Sequence, residues 1–442
     1  MSNDLGTLLI IGAGPKAAAV CAKCRILKDL GQPFLTPIVF ERHEPGAAWS
    51  GEHGYTTGRL PLGTSPEKDV GFPYFKDALC PEVTLELFRH YSWPAYQIEE
   101  QKGYSEWLDR GRPPPLHSEW AKYISWVLKK ATRGFGQVVT GEVAEIFSKT
   151  TTSNKPRWEI KVRGNSKRFQ GDGLLITGTG EAKRLDCALP NNDNIMYGDN
   201  FWTPNNLAKI EHLRVNKTAG GNIVIVGGGE SASAIAAYIA EQLQSKENVN
   251  IIVLTSGGAI FSRGEGYYEN RVFSQPQFWL ALEEEQRLDI IRRADRGVFS
   301  PGVLARLAEA PNVDHKNFRV VDVTASPTGE LRVSNDHRVS IECRVLVFAM
   351  GFDPMSFSRM IRTRQLRDAL RKRIDNPKIY RVEREILPDL SVPESISPAK
   401  LYLPMVAGLK QGPGFPNLSC LGILSDRLLE RRTYPKSLWE EP

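Results

Sequence analysis

Leu8-Leu9-Ile10-Ile11-Gly12-Ala13-Gly14-Pro15-Lys16-Ala17, followed by the Ala-rich stretch from Ala18 to Leu30, reads as strand, tight turn and helix in direct succession. The two glycines let the backbone turn and approach a pyrophosphate. The small Ala17 lets the helix lie close to the strand, and the helix N-terminus supplies free N–H groups and the positive end of a dipole. A second apolar run, Ile38 to Phe40, ends in Glu41, placed to accept hydrogen bonds from ribose hydroxyls. A glycine turn alone says little, because such turns occur in many folds. The flanking strand, helix and downstream acid make this one a dinucleotide site. Its candidate contacts are Gly12, Gly14, Pro15, Glu41 and Trp49.

The same grammar returns at Asn222 to Val226, then Gly227-Gly228-Gly229-Glu230-Ser231-Ala232, then a helix through Ala240. Two dinucleotides are therefore expected. The strand after this second helix, Ile251 to Leu254, ends in Thr255-Ser256 with no carboxylate. An acid there would pair with a free 2′-hydroxyl and repel a 2′-phosphate, whereas two hydroxyls with Arg263 nearby tolerate that phosphate. The first unit thus reads as an FAD site. The second reads as an NADPH site built from Gly227, Gly229, Glu230, Ser231, Thr255, Ser256 and Arg263.

Leu174 to Gly178 and Val345 to Gly351 are apolar strands ending in glycine, and both read as returns of the chain to the flavin domain. Because the second lies beyond the NADPH motif, the simplest topology inserts one unit into the other. The fold expected is α/β, with two Rossmann-like domains and a small, mainly helical substrate region. The flavin domain takes residues 1–214 and 336–442, and the NADPH domain takes 215–335. There is no internal repeat beyond this duplicated unit.

At 442 residues, the chain is long enough for two or three packed units. Hydrophobic residues make up 41% and charged residues 24%, the balance of a globular protein rather than a disordered one. A net charge of +6, with no long basic block, gives no support to nucleic-acid binding. Six cysteines without a regular framework fit a reducing compartment. Cys21 and Cys24 have CxxC spacing but fall inside the first helix and read as packing residues. No signal peptide and no membrane span is expected, so the location implied is cytoplasmic. The seven histidines show no metal spacing, and no metal is expected.

Several blocks resemble the N-hydroxylating flavin monooxygenases that make hydroxylated lysine or ornithine for hydroxamate siderophores. They are LGTSPEKDVGFPY (Leu62 to Tyr74), HYSW (His90 to Trp93), DRGRPPP (Asp109 to Pro115), SRGEGYYENRVFS (Ser262 to Ser274), DRGVFS (Asp295 to Ser300) and QGPGFPNLSCLGILSDR (Gln411 to Arg427). The match covers nearly the whole chain and is similar to the lysine N6-hydroxylase branch. It implies that Lys68 holds the substrate carboxylate, that Asn270 contacts the amino-acid backbone and that Ser419 lies near the side-chain amine. Taken singly, each has an everyday explanation: a solvated lysine, a turn asparagine, a helix-capping serine. Three departures bear on substrate length and NADPH contacts. Gly63 stands where ornithine enzymes show a glutamine, Arg296-Gly297 where they show an asparagine, and Thr255-Ser256 where some relatives show an arginine.

The resemblance implies that FAD carries the redox chemistry, so no residue of the chain serves as nucleophile. NADPH would reduce the flavin, O₂ would add to give a C4a-hydroperoxyflavin, and the neutral amine of L-lysine would take the distal oxygen to give N6-hydroxylysine. It also implies a homo-oligomer, dimer or tetramer. Three alternatives stay open: an ornithine N5-hydroxylase or hydroxylase of another diamine, a disulfide reductase, and a non-catalytic NADP-sensing flavoprotein. A reductase would need a cysteine pair facing the flavin ring, which Cys21 and Cys24 do not supply.

Overall fold

The computed structural model describes residues 3–101, 103–150, 155–216, 220–244, 248–264, 266–374 and 380–431. In the first part of the chain, β1 (Asp4–Ile11) leads into α1 (Pro15–Asp29), followed by β2 (Phe34–Glu41), β3 (Gln137–Thr140) and β4 (Gly173–Ile176). A second series follows: β5 (Ile195–Tyr197), β6 (Gly221–Val226), α2 (Glu230–Leu243) and β7 (Val249–Thr255). After these come α3 (Tyr267–Ser274), β8 (Val313–Asn317), β9 (Val345–Phe348), β10 (Lys400–Tyr402) and α4 (Leu421–Leu428).

Two parallel five-stranded sheets result, ordered β10-β4-β1-β2-β3 and β8-β7-β6-β9-β5. Their central strands read as continuous apolar runs because both faces are covered. Leu8, Leu9 and Ile10 of β1 are fully enclosed, as are Leu174 and Leu175 of β4. In each sheet the glycine-rich turn follows a strand with neighbours on both sides, and ligands of open α/β sheets bind beyond the carboxyl ends of such strands. Helices between Glu82 and Thr132 pack beside the first sheet. Smaller antiparallel sheets at Val143–Gly171 and Val320–Cys343 complete the two units.

The sheet pairing corrects one expectation. Leu174 and its neighbours do join the first sheet, but Val345–Phe348 does not return there: it pairs with β6 on one side and β5 on the other. The inserted unit therefore reaches at least from Ile195 to Phe348, beyond the 215–335 read from the pattern. A strand buried on both faces carries no mark of the sheet it joins, so an apolar run ending in glycine suits either. The chain passes between the units at Glu181–Ala182 and Phe352–Asp353, which pair antiparallel with each other.

Helix α1 is almost wholly enclosed, and Ala17 through Ala22 all lie below one-tenth exposure. Cys21 and Cys24 are part of this packing. Burial pushes the Cys24 thiol up to about 12 and that of Cys21 up as well, leaving both as inert thiols. Two lysines of α1 are also buried. Lys23 pairs with Asp426 of α4 and donates to the Gly422 carbonyl at 3.2 Å. Lys16 donates to the Pro416 carbonyl at 2.7 Å, and burial lowers its ammonium to about 8.

Candidate functional site

At the first turn, the Gly12 amide donates to the Phe40 carbonyl at 2.8 Å, tying the turn to the end of β2. Gly12 has φ +98°, and a Cβ there would lie 2.5 Å from Thr177 Oγ1, so only glycine fits. Gly14 differs: its backbone is extended, no side chain caps the helix it begins, and a Cβ would meet no protein atom within 4 Å. An uncapped helix start facing open space suits the pyrophosphate of a dinucleotide. Pro15 is the first residue of α1. Glu41 turns back on the turn, accepting from the Ala13 amide at 2.8 Å and the His43 amide at 3.1 Å. Trp49 stands edge-on to His117, with ring centroids 4.8 Å apart.

The second turn repeats this plan. Gly227 donates to the Leu254 carbonyl at 2.9 Å, has φ +148°, and would place a Cβ 2.1 Å from the Ala349 carbonyl oxygen. Gly229 starts α2 uncapped with open space at its Cβ position, as Gly14 does for α1. Glu230 and Ser231 are the first two residues of that helix. Arg263 lies 3.6 Å from Glu230 and covers the Phe273 ring, so its guanidinium is engaged at the start of α2. The Thr255 hydroxyl instead meets His315 Nε2 at 2.7 Å, and Ser256 is exposed.

The three candidate substrate residues sit on segments that pack together. Lys68 Nζ donates to Asn270 Oδ1 of α3 at 3.0 Å. The loop after Lys68 is held by Asp69, which accepts from the Gly71 amide at 3.1 Å, the Tyr74 hydroxyl at 2.6 Å and the Trp93 amide at 2.7 Å. Burial pushes the Asp69 carboxyl up to about 7 in spite of these donors. The Gly422 amide donates to the Phe72 carbonyl at 2.7 Å, and a Cβ on Gly422 would lie 2.1 Å from the Gly71 oxygen. A Cβ on Gly414 would lie 1.9 Å from the Phe273 oxygen of α3, so the residues on either side of Ser419 touch the other two segments.

Ser419 is buried, and its amide donates to Asn417 Oδ1 at 2.8 Å. It does not cap α4, whose N-cap is Cys420. The side chain of Asn417 reaches Asp295, a buried carboxyl pushed up by desolvation. Arg296 forms a two-point contact with Glu383 at 2.6 and 3.3 Å.

Four residues of this region escaped the sequence reading. Thr177 donates to the Ile11 and Gly12 carbonyls at 2.9 and 3.0 Å, and Lys16 links the first turn to the Ser419 loop. Asp69 fixes the loop of Lys68, and His315 partners Thr255. Lys16 alone left a signal, a lysine inside a phosphate turn. The others depend on contacts between distant segments.

The family model for L-lysine 6-monooxygenase/L-ornithine 5-monooxygenase matches residues 88–319. The L-lysine N6-monooxygenase MbtG of Mycobacterium tuberculosis is 36% identical over 434 residues, covering 96% of this chain and 94% of that protein. The lysine monooxygenase NbtG from Nocardia farcinica shares 35% identity and superposes with a TM-score of 0.76, covering 96% of this chain and 99% of that one. The Kutzneria ornithine N-hydroxylase KtzI, solved with reduced FAD, NADP⁺ and L-ornithine, shares the fold at a TM-score of 0.68 and 15% identity, over 96% of this chain and 97% of its own. With near-complete coverage at this identity and a family model spanning more than half of its length, the chain belongs to the L-lysine 6-monooxygenase/L-ornithine 5-monooxygenase family.

Proposed function

We propose that this protein is an FAD- and NADPH-dependent L-lysine N6-monooxygenase whose product, N6-hydroxylysine, feeds hydroxamate siderophore or related natural-product synthesis. The observation that carries the reading is the meeting of Lys68 with Asn270 beside the Ser419 loop, in a chain of this family. The redox chemistry, hydride acceptance from NADPH and activation of O₂, is supplied by FAD when bound.

The work left to the protein is positioning. The uncapped starts of α1 and α2 would hold the two pyrophosphates, with Glu41 toward the flavin ribose. The Lys68 ammonium would take the substrate carboxylate and Asn270 its backbone polar groups, which leaves the long side chain to run toward Ser419. A lysine amine has a reference pKa near ~10.4, so its lone pair is blocked at neutral pH unless the site disfavours charge. Ser419 is itself buried, and burial at that end of the site would penalise an ammonium and favour the neutral nucleophile.

The test is NADPH oxidation by FAD-loaded protein with L-lysine, L-ornithine, 1,5-diaminopentane or no amine, with hydroxylamine product assayed separately. Lysine-dependent product supports the proposal. Product formed chiefly from ornithine or the diamine moves the substrate assignment, and no product from any amine favours an NADP-sensing flavoprotein. The proposal includes a cytoplasmic location and a homo-oligomer, the latter to be read by light scattering. Among the described residues no helix is long and apolar enough to cross a membrane.

A further inference from the structure

We infer that His315, acting with Thr255, reads the 2′-phosphate of NADPH and sets the preference over NADH. The inference rests on the reading of the second turn as a dinucleotide site.

The argument begins from the equivalence of the two turns. Gly12 donates to the Phe40 carbonyl, and the next residue of β2 is Glu41; Gly227 donates to the Leu254 carbonyl, and the next residue of β7 is Thr255. Thr255 therefore occupies the place of Glu41, the residue that faces ribose hydroxyls in such units. Glu41 is turned back on the Ala13 amide of the glycine turn and the His43 amide of its own loop. Thr255 is turned sideways, and its hydroxyl lies 2.7 Å from His315 Nε2.

The register makes this meeting a property of the sheet. His315 on β8 lies opposite Val253 on β7, and residues 253 and 255 point to the same face of a strand. The imidazole thus stands beside the strand end where a 2′-substituent would project. A phosphate there would find the hydroxyls of Thr255 and Ser256 and an imidazole N–H, with no acid from Thr255 to Ala259 to oppose it. Arg263 is paired with Glu230 at 3.6 Å and Lys316 with Asp314 at 3.7 Å, while exposed Arg319 follows Phe318, whose amide donates to the Thr255 carbonyl at 2.7 Å.

The experiment is calorimetric titration of the FAD-loaded protein with 2′,5′-ADP and with 5′-ADP, which carry the two ribose states without the nicotinamide. The expected result is tighter binding of 2′,5′-ADP by the parent. In His315→Ala, 2′,5′-ADP should weaken by roughly 10- to 100-fold while 5′-ADP is unchanged, the scale of losing one charge-assisted hydrogen bond. His315→Gln, which keeps an N–H beside Thr255, should recover part of the loss and guards against a variant that fails to fold. Equal binding of the two nucleotides by the parent, or an undiminished preference in both variants, overturns the role of His315 and leaves the nucleotide site standing. Absence of binding by either nucleotide overturns the site reading and the inference together.

Discussion

Lys68 Nζ and Asn270 Oδ1 lie 3.0 Å apart although 202 residues separate them in sequence. One comes from a loop that Asp69 anchors to the helical region, the other from a helix of the inserted unit. The contact is therefore made between the two units of the fold, and a substrate carboxylate that takes the lysine would be recognised by both at once.

Replacing Lys68 with alanine is expected to raise the KM for lysine by roughly 30- to 150-fold, the loss of one charge-assisted contact. The rate of flavin reduction by NADPH should change little, and hydroxylated product per NADPH consumed should fall. Asn270→Ala should be non-additive with it, because the two side chains touch. Stopped-flow reduction and a product assay across a lysine titration give the answer, and unchanged KM and coupling would return Lys68 to an ordinary surface charge.

Gly14→Val should leave the protein folded but without yellow flavin. No strained backbone forbids the valine and no protein atom lies within 4 Å of its Cβ, so the side chain would fill only the open space that the first-turn assignment gives to the pyrophosphate. Gly12→Val should lower stability itself, given the positive φ and the 2.5 Å approach to Thr177. Visible absorbance and urea unfolding separate the two effects. Full FAD occupancy in folded Gly14→Val would remove the first-turn assignment.

Asp69 has a carboxyl raised from 3.8 to about 7 by burial, so the folded state holds its proton more tightly than the unfolded chain does. The contribution of this group to stability is accordingly largest below pH ~4, declines as pH rises to ~7 and is flat beyond. Asp69→Asn lacks that titration. The stability of the parent minus that of the variant should therefore shrink between pH 4.5 and 7 in urea unfolding. A difference that instead grows with pH over this window would mean that the Gly71, Tyr74 and Trp93 donors outweigh burial.

Asp426→Asn leaves the Lys23 ammonium enclosed without its carboxylate and should cost about 3 to 5 kcal/mol of unfolding free energy. Lys23→Met combined with Asp426→Leu should recover most of it, because an apolar pair of similar size needs no desolvation offset. A loss below about 1 kcal/mol in the single variant would show that water reaches the pair.

Both strand–turn–helix units were legible in the sequence because their requirements are local: an apolar strand, a first glycine where a side chain cannot fit, and a helix start. Which sheet each strand joins was not. Val345–Phe348 and Leu174–Ile176 look alike in sequence, yet they lie in different sheets, and only pairing partners tell them apart. The resemblance picked out Lys68 and Asn270, but their contact is long-range and no spacing rule reaches it. Arg263 was placed by sequence near Thr255 and Ser256, and its 3.6 Å pair with Glu230 at the start of α2 is a contact that no spacing foretells. His315 stayed invisible because its meeting with Thr255 depends on β8 lying beside β7.

The placement of β10 at the edge of the first sheet, paired through Lys400, Leu401 and Tyr402 with Gly173, Leu174 and Leu175, means that this sheet gains its last strand only when most of the chain has been made. When β4 leaves the ribosome its outer edge is still open, and the partners of Lys16 and Lys23, Pro416 and Asp426, have not been translated. All five strands of the second sheet are translated by Phe348, so that unit can fold while the one around it waits. A nascent chain stalled before Lys400 is accordingly expected to hold the second sheet folded and to carry no flavin, which visible absorbance of the stalled complex would check.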